Sequence, residues 1–273
     1  MTADTAPFGT FAPSSGQARA IGFARGLDPG PFSKVAASVA KRLIWPSLTG
    51  PLDVTTWGIR MRLDPRRNIT EKRLLLSPSR FELDERQILQ ACLKPGDRFV
   101  DVGANVGAYS LWVAKIIGPY GKGVAIEPQP TVLARLVTNI ALNPAFNIQV
   151  FPCGAGPREG TLRLSIGSSN EGGASLATGQ GGGDSIDVAI RPLLDIVSAA
   201  GLDRIDALKI DIEGFEDQAL IPFFNAAPQA LWPKLLILER SDKDWGEDLM
   251  DVLARCGYSN RHVSKRNYVM DLI

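Results

Sequence analysis

From residue 98 onward, short apolar runs alternate with amphipathic stretches, and this alternation restricts the fold more than any other feature of the chain. Five apolar runs predict strands, near residues 98–102, 123–127, 147–152, 206–211 and 234–239. Helical spacing of apolar residues predicts the helices between them, near residues 107–117, 130–141, 191–200 and 215–224. Strands and helices that alternate in this way form a mostly parallel sheet with helices on both faces. Two further runs, 258–263 and 267–272, predict an antiparallel hairpin that closes the sheet.

The N-terminal part does not share this pattern. Residues 1–31 are rich in Ala, Gly, Pro and Ser without a steady apolar period, so we expect a flexible leader. Residues 32–51 predict an amphipathic helix and a linker, because apolar residues follow helical spacing from Phe32 and Pro46 ends the run. We expect this helix to pack on the main domain, with a membrane-surface or partner-binding helix as the alternative. Residues 52–273 are expected to form one domain, which begins with a strand or hairpin over 52–64.

A long Gly- and Ser-rich run separates the third and fourth strands of the predicted sheet. Strand-like segments at 161–164 and 186–190 flank residues 167–183, which predicts a hairpin with a long tip. Unstructured loops of this length are usually functional or disordered. We therefore expect a lid over the ligand site rather than an inert loop.

Composition excludes several classes of protein. Thirty Lys and Arg residues balance 29 Asp and Glu residues, so no overall positive field would attract nucleic acid. No run approaches the roughly 18 apolar residues of a membrane span, and the N-terminus lacks a signal sequence, so we expect a cytoplasmic protein. The single histidine, His262, excludes sites that need two imidazoles, and the three cysteines form no CxxC pair.

The string DVGANVG at residues 101–107 joins an apolar strand to a helix through small residues. Ligands of parallel sheets bind beyond the carboxyl ends of the strands, where such a turn lets them approach the backbone. A dinucleotide fingerprint would need glycine where the chain has Asn105 and Ala108. Asp101 instead suits a cationic ligand, and Glu127, at the end of the next strand, suits the hydroxyls of a ribose.

A second group of acids follows the fourth and fifth strands. Asp211 and Glu213 flank Ile212, so on an extended strand end they would share a face, where one could accept a proton from an alcohol. The alternative is that they cap the helix that begins near Phe215. Glu239 ends the next strand and is a third candidate base. The three acids would suit Mg²⁺, but nothing in their spacing requires a metal, and none is predicted.

Three separated motifs carry a resemblance to a known family. DVGANVG with the Ile126-Glu127-Pro128 strand end, ALKIDIEGFE at residues 207–216 and LILE at residues 236–239 resemble the FkbM family of class I S-adenosylmethionine-dependent methyltransferases. The resemblance covers roughly residues 55–272 and includes NEGGASL at 170–176 and LLD at 193–195. It implies a Rossmann-like fold, S-adenosylmethionine as cofactor and methyl transfer to a hydroxyl of a small molecule or carbohydrate.

The resemblance and the residue chemistry together give a candidate site. The expected cofactor-binding residues lie at strand ends and in the glycine turn: Asp101, Gly103, Ala104, Asn105, Gly107, Glu127, Pro128, Gly154, Ala155 and Asp211. The expected catalytic residues are Asp211, Glu213 and Glu239. Many relatives follow this glutamate with a histidine-containing turn, whereas this chain has Arg240-Ser241-Asp242-Lys243, so a histidine base is not expected.

Two rival functions stay open at this point. One is a nicotinamide-dependent Rossmann oxidoreductase, and the other is a binding scaffold of the same fold without catalysis. The sequence does not identify the acceptor or the oligomeric state, and it is compatible with a homodimer.

Overall fold

A computed structural model of the chain describes residues 4–28, 30–167, 170–175 and 185–273. The N-terminal part consists of two helices, a β-hairpin and two more helices: α1 (Ser15–Gly26), α2 (Ser33–Ile44), β1 (Leu52–Thr56), β2 (Ile59–Leu63), α3 (Ile69–Leu76) and α4 (Leu83–Cys92). The β1–β2 hairpin turns at Trp57 and Gly58, which both have positive φ angles. A hairpin of this kind requires that backbone conformation at its turn.

Strands and helices then alternate, as the sequence predicts. The first three strands of this part and the two helices between them are β3 (Arg98–Val102), α5 (Ala108–Ile117), β4 (Lys122–Ile126), α6 (Pro130–Ala141) and β5 (Ile148–Phe151). After a small second sheet come α7 (Leu193–Ala199), β10 (Ala207–Ile210), α8 (Glu216–Ala226), β11 (Leu235–Glu239), α9 (Leu249–Arg255), β12 (Tyr258–Val263) and β13 (Asn267–Leu272).

The main sheet has seven strands in the order β12-β13-β11-β10-β3-β4-β5. The five strands from β11 to β5 are parallel, and β13 and β12 add the antiparallel hairpin at one edge. The carboxyl ends of β3, β4, β10 and β11 therefore meet at one edge of the sheet. This arrangement confirms the predicted fold class.

The second sheet has the order β6-β9-β7-β8 and comprises β6 (Gly154–Gly156), β7 (Gly160–Gly167), β8 (Asn170–Ser175) and β9 (Ser185–Pro192). Strands β7 and β9 pair antiparallel, as expected for the predicted hairpin. Residues 170–175, which we expected to belong to a loop, form strand β8. The rest of the predicted lid, at 168–169 and 176–183, lies outside the described residues, so its closure stays a prediction.

Both faces of the main sheet are buried, which explains its nearly continuous apolar strands. Phe99 packs into a core cluster that includes residues of α1–α5, whereas its neighbour Val100 packs into a second cluster that includes residues of α7, α8 and α9. Successive residues of a strand point to opposite faces, and both faces here require apolar side chains.

The expectation of little order over residues 1–31 was wrong for residues 15–26. Helix α1 begins at a capping box formed by Ser14 and Gln17 and buries Ala20, Ile21 and Ala24. The Arg25 guanidinium donates hydrogen bonds to the carbonyl oxygens of residues 55, 74 and 75, which fixes α1 to β1 and α3. Helix α2 lies where the spacing from Phe32 predicts it. The proposed division of the chain into leader, linker and catalytic domain stays a prediction.

Candidate functional site

A cavity of about 500 Å³ lies beyond the carboxyl ends of β3, β4, β10 and β11. Its floor contains nearly all of the sequence-predicted site residues: Asp101, Gly103, Ala104, Asn105, Glu127, Pro128, Gly154, Ala155, Asp211, Glu213 and Glu239. Its outer wall comes from other elements: Ile69, Thr70 and Arg73 of α3, Phe81 and Glu82 before α4, Leu164 of β7, and Lys265 and Arg266 between β12 and β13. The cavity has the size of a cofactor site and is enclosed by two different parts of the chain.

The glycine turn after β3 packs directly on the end of β10. Gly103 has φ +77°, and a Cβ atom at this position would lie 2.0 Å from the carbonyl oxygen of Asp211. The N–H groups of Gly103 and Ala104 donate to the carbonyl oxygen of Ile126 at 3.0 Å. Gly107 does not line the cavity: it has φ +89° and packs against Leu136. The first glycine thus allows the close approach that forms the cavity floor, and Gly107 shapes the start of α5.

Glu127 is buried directly after β4. Its two carboxylate oxygens accept hydrogen bonds from the backbone N–H groups of Asn105 and Gln129, both at 2.9 Å. Burial raises the pKa of Glu127 to about 7, although these two N–H groups favour the charged form. The side chain is fixed against the glycine turn, and its role in binding ribose stays a prediction.

Asp101 is buried within β3, with 1% of its surface exposed. One carboxylate oxygen accepts a hydrogen bond from Ser110 at 2.5 Å. The other, Oδ1, has no hydrogen-bond partner among the described residues. Burial raises the pKa of Asp101, and the Lys209 ammonium opposes that shift. A buried acceptor without a partner at the cavity floor is an atom that a ligand donor could satisfy.

Lys209 is the functional residue that sequence reasoning missed. Its ammonium is buried in β10, lies 3.0 Å from Asp211 and sits over the ring of Tyr109 at 5.0 Å from the centroid. Burial alone would lower the pKa of Lys209, but the negative charges of Asp211, Asp101 and Glu82 raise it above its usual value. A lysine within an otherwise apolar, doubly buried strand is a signal that could have revealed it, because such a charge needs a partner.

The three predicted catalytic acids meet at one side of the cavity. Oxygen atoms of Asp211, Glu213 and Glu239 lie within 4.8 Å of one another, a set that could hold a hard cation. They meet because Glu213 adopts a left-handed conformation, φ +56°, and not because the strand continues as predicted. Strand β10 ends at Ile210, and the Glu213 N–H donates to Glu239 at 3.2 Å.

Two of the three acids, Asp211 and Glu239, differ in charge. Burial opposes ionisation of Asp211, but Lys209 and a hydrogen bond with Glu239 lower its pKa. Burial and the charges of Asp211 and Glu213 raise the pKa of Glu239 to about 8. Near neutral pH, Asp211 is therefore a carboxylate and Glu239 holds a proton.

The alternative role of Asp211 and Glu213 as helix caps does not hold. Helix α8 begins after Phe215 without a side-chain cap. The nearby loop is instead held by Glu216, which accepts from the N–H groups of Ile212 and Gly214 and from Trp245. Because Glu216 holds this loop, Asp211 and Glu213 are not needed as caps, and both line the cavity.

The remaining sequence candidates lie as follows. The side chain of Asn105 accepts hydrogen bonds from Asn68 and from the N–H group of Val106, before α5 begins at Ala108. Gly154 packs against Ile190, where a Cβ atom would lie 2.7 Å from that side chain. His262 lies on β12 near Asp84 and does not line the cavity.

A seven-stranded sheet of this order, with a ligand cavity beyond its parallel strand ends, defines a Rossmann-like class I methyltransferase fold. The family model "Methyltransferase FkbM domain" matches residues 101–259, which is more than half of the chain. The chain therefore belongs to the FkbM methyltransferase family, as the sequence motifs predicted.

Individual relatives are more distant. "Methyltransferase sdnD" of Sordaria araneosa is 30% identical in an alignment of length 151 that covers 44% of this chain and 58% of sdnD. "AMB antimetabolite synthetase AmbE" of Pseudomonas aeruginosa is 28% identical in an alignment of length 213 that covers 61% of this chain and 10% of AmbE. The chain thus spans under two thirds of either relative. The crystal structure of methyltransferase FkbM from Methylobacillus flagellatus KT has 19% identity and a TM-score of 0.43, covering 74% of this chain and 54% of that one.

S-adenosylmethionine is the cofactor that family membership implies, and the residues of the cavity fit it. The unpartnered Asp101 oxygen offers an acceptor for an ammonium group, and Glu127 is held in place by two N–H groups at the next strand end. A side chain at Gly103 would fill the turn between these two acids and Asp211. The lining of the cavity therefore fits S-adenosylmethionine.

Proposed function

We propose that this protein transfers a methyl group from S-adenosylmethionine to a hydroxyl of a small molecule or carbohydrate. The observation that carries the proposal is that one cavity joins two buried acids, Asp101 and Glu127, to three acids on its other side. The first pair suits a sulfonium nucleoside, and the second group suits an alcohol whose proton must be removed.

Asp101 and Glu127 would hold the cofactor. Asp101 would accept a hydrogen bond from its ammonium group at the free Oδ1, and Glu127 would accept from the ribose hydroxyls. When bound, S-adenosylmethionine supplies an electrophilic methyl group. Alignment contributes most of the rate in a displacement of this kind, so the rigid packing of the Gly103 turn on β10 supports the proposal.

Glu239 is the residue that we assign to accept the proton of the acceptor hydroxyl. A general base works best when its pKa lies near the working pH, and the pKa of Glu239 is about 8. Asp211 is a weaker base because Lys209 stabilises its charge. We assign Asp211 the role of orienting the acceptor, and Glu213 the same role from the cavity mouth.

The outer wall would contact the acceptor. Tyr109 donates a hydrogen bond to Glu82 at 2.7 Å, and Arg73 lies 3.4 Å from the same carboxylate and over the ring of Phe81. The charged groups of Arg73 and Glu82 in this wall suit a molecule with several hydroxyl groups, such as a sugar.

The test combines a screen with one variant. Purified protein and labelled S-adenosylmethionine are incubated with hydroxylated small molecules and carbohydrates, and products are identified by mass spectrometry. With the best acceptor, we expect kcat to rise with pH through an apparent pKa near 8. Glu239→Gln is expected to lower kcat by roughly 100-fold or more and to abolish that pH dependence.

Two comparisons make the test decisive. Affinity for S-adenosylhomocysteine, measured by calorimetry, should be nearly unchanged in Glu239→Gln, and the exposed Glu247→Gln should behave as wild type throughout. An N-methylated or C-methylated product would contradict transfer to oxygen. An unchanged pH profile in Glu239→Gln would exclude this residue as the base.

A further inference from the structure

Helix α2 carries an apolar stripe that the rest of the described chain does not cover. Six of the ten exposed large apolar side chains among the described residues lie between residues 23 and 43. Four of them follow helical spacing at α2: Phe32 is 67% exposed, Val35 62%, Val39 44% and Leu43 65%. The small residues Ala36 and Ala40, with Ile44, form the buried face instead. Apart from Ile44, the large apolar side chains of this helix thus face outward.

The charges around this stripe have one sign. At 100° per residue, the buried face, the apolar stripe and a basic flank with Lys34, Lys41 and Arg42 occupy successive arcs of α2. Residues 5–52 contain five Lys and Arg residues but only one acid, Asp28, although the whole chain is nearly neutral. Lys41 also lies over the ring of Trp45, at the end of the helix.

We propose that α2 binds the surface of an anionic lipid bilayer, with Phe32, Val35, Val39 and Leu43 inserted among the lipids and the basic flank against the headgroups. Helices that lie in a membrane interface combine these features: large apolar side chains on one face and Lys and Arg on the polar face. Trp45, at the end of the helix, is partly buried against the core, so insertion rests on the four exposed side chains.

A second copy of the chain is a poorer partner for this face. In a symmetric dimer, each α2 would meet the same surface of its partner, which brings basic flanks of equal sign together. The binding of anionic headgroups neutralises the same charges. Charge complementarity therefore favours a lipid surface.

The proposed membrane-binding face of α2 lies close to the cavity. Helix α2 packs against α3, whose residues Ile69, Thr70 and Arg73 line the cavity wall. Lys72 of α3 is close enough to Lys41 that burial and this neighbouring charge lower its pKa. The membrane face and the cavity wall are thus built on adjacent helices, so binding would hold the cavity near the bilayer.

The experiment is sedimentation of the full chain with vesicles of phosphatidylcholine alone or mixed with phosphatidylglycerol. We expect binding to the mixed vesicles, weakened by salt because the charges are exposed. Val35→Ser combined with Leu43→Ser should reduce the partition coefficient at least roughly tenfold, since it removes two large inserted side chains. Lys34→Gln combined with Arg42→Gln should reduce the preference for anionic vesicles.

Matched controls lie elsewhere on the surface. Val263→Ser with Ile273→Ser removes two exposed apolar side chains, and Lys94→Gln with Arg158→Gln removes two exposed charges; both should bind as wild type. Wild-type-like binding by the Val35 and Leu43 variant would overturn the proposal. A dimer seen by light scattering that dissociates in that variant, without vesicle binding, would identify the face as a self-association surface instead. Vesicle binding does not depend on methyl transfer, so this result is separate from the proposed activity.

Discussion

At the scale of single residues, the charge of Lys209 controls the electrostatics of the cavity. It is buried between Asp101 and Asp211, and it keeps the latter ionised beside Glu239. Asp211 in turn raises the pKa of Glu239, so one lysine decides which acid of the group holds the proton. The proposed division of work between these acids therefore depends on a neighbouring cation outside the group.

Lys209→Met should destabilise the protein by on the order of 3–5 kcal/mol, because it leaves buried carboxylates without their cation. Urea denaturation measures this change. Combination with Asp211→Asn should restore part of the lost stability, since it removes one of the unpaired charges. The control is Lys234→Met, which removes an exposed ammonium group from Asp206. It should cost about 1 kcal/mol or less, because this carboxylate keeps its contacts with Arg204 and the Arg98 N–H group. Equal costs in both single variants would refute the central role of Lys209.

The sequence identified the acids of the site but not their protonation states or their contacts. Asp101, Glu127, Asp211, Glu213 and Glu239 each lie at or near a strand end, and strand ends can be read from apolar periodicity. The protonation of Glu239 and the anchoring role of Glu216 depend on contacts across strands and loops. Such contacts have no signature in the local sequence.

At the scale of elements, the sequence predicts the strands and helices that follow local patterns and misses those that depend on tertiary contacts. The hairpin β12–β13 and the alternating strands and helices follow from local patterns. Helix α1 has a composition typical of a loop, and it is fixed by hydrogen bonds from Arg25 to distant carbonyl oxygens. Strand β8 lies in a glycine-rich run and pairs with β7. These elements depend on tertiary contacts rather than on their own propensity.

The turn between β3 and α5 packs closely on the end of β10, and a substitution at Gly103 tests whether this close approach is needed. Gly103→Ala should destabilise the protein by clearly more than Gly96→Ala. Both glycines have positive φ, but a Cβ atom at Gly96 would meet nothing within 4 Å, whereas one at Gly103 would meet the Asp211 carbonyl at 2.0 Å. Gly96→Ala should therefore cost only the conformational strain, about 1 kcal/mol.

Gly103→Ala should also weaken binding of S-adenosylhomocysteine, because any shift of the turn displaces both the cofactor-binding loop and the end of β10. Thermal denaturation and calorimetry on the two variants measure the two effects. Similar stability and similar affinity in both variants would show that the turn can move without consequence for the site.

At the scale of the whole molecule, the buried acids make the free energy of unfolding depend on pH. Burial raises the pKa of Glu127 to about 7 and that of Glu239 to about 8, so the folded protein holds protons that the unfolded chain releases near pH 4.5. Where the folded state binds more protons, stability falls as pH rises. The acids with lowered pKa values, Asp53, Asp206 and Asp211, ionise below this window and do not oppose the trend.

We therefore expect the unliganded protein to lose stability steadily between about pH 5 and pH 8 in urea denaturation. The contribution of Glu127 alone is on the order of 3 kcal/mol, from its raised pKa. Glu127→Gln should make the slope shallower between about pH 5 and pH 7, while the exposed Glu247→Gln should leave it unchanged. Stability that stays level or rises across this range would mean that Glu127 is already ionised in the folded protein. Its backbone N–H partners would then outweigh the cost of burial, and the acid would be charged before any ligand binds.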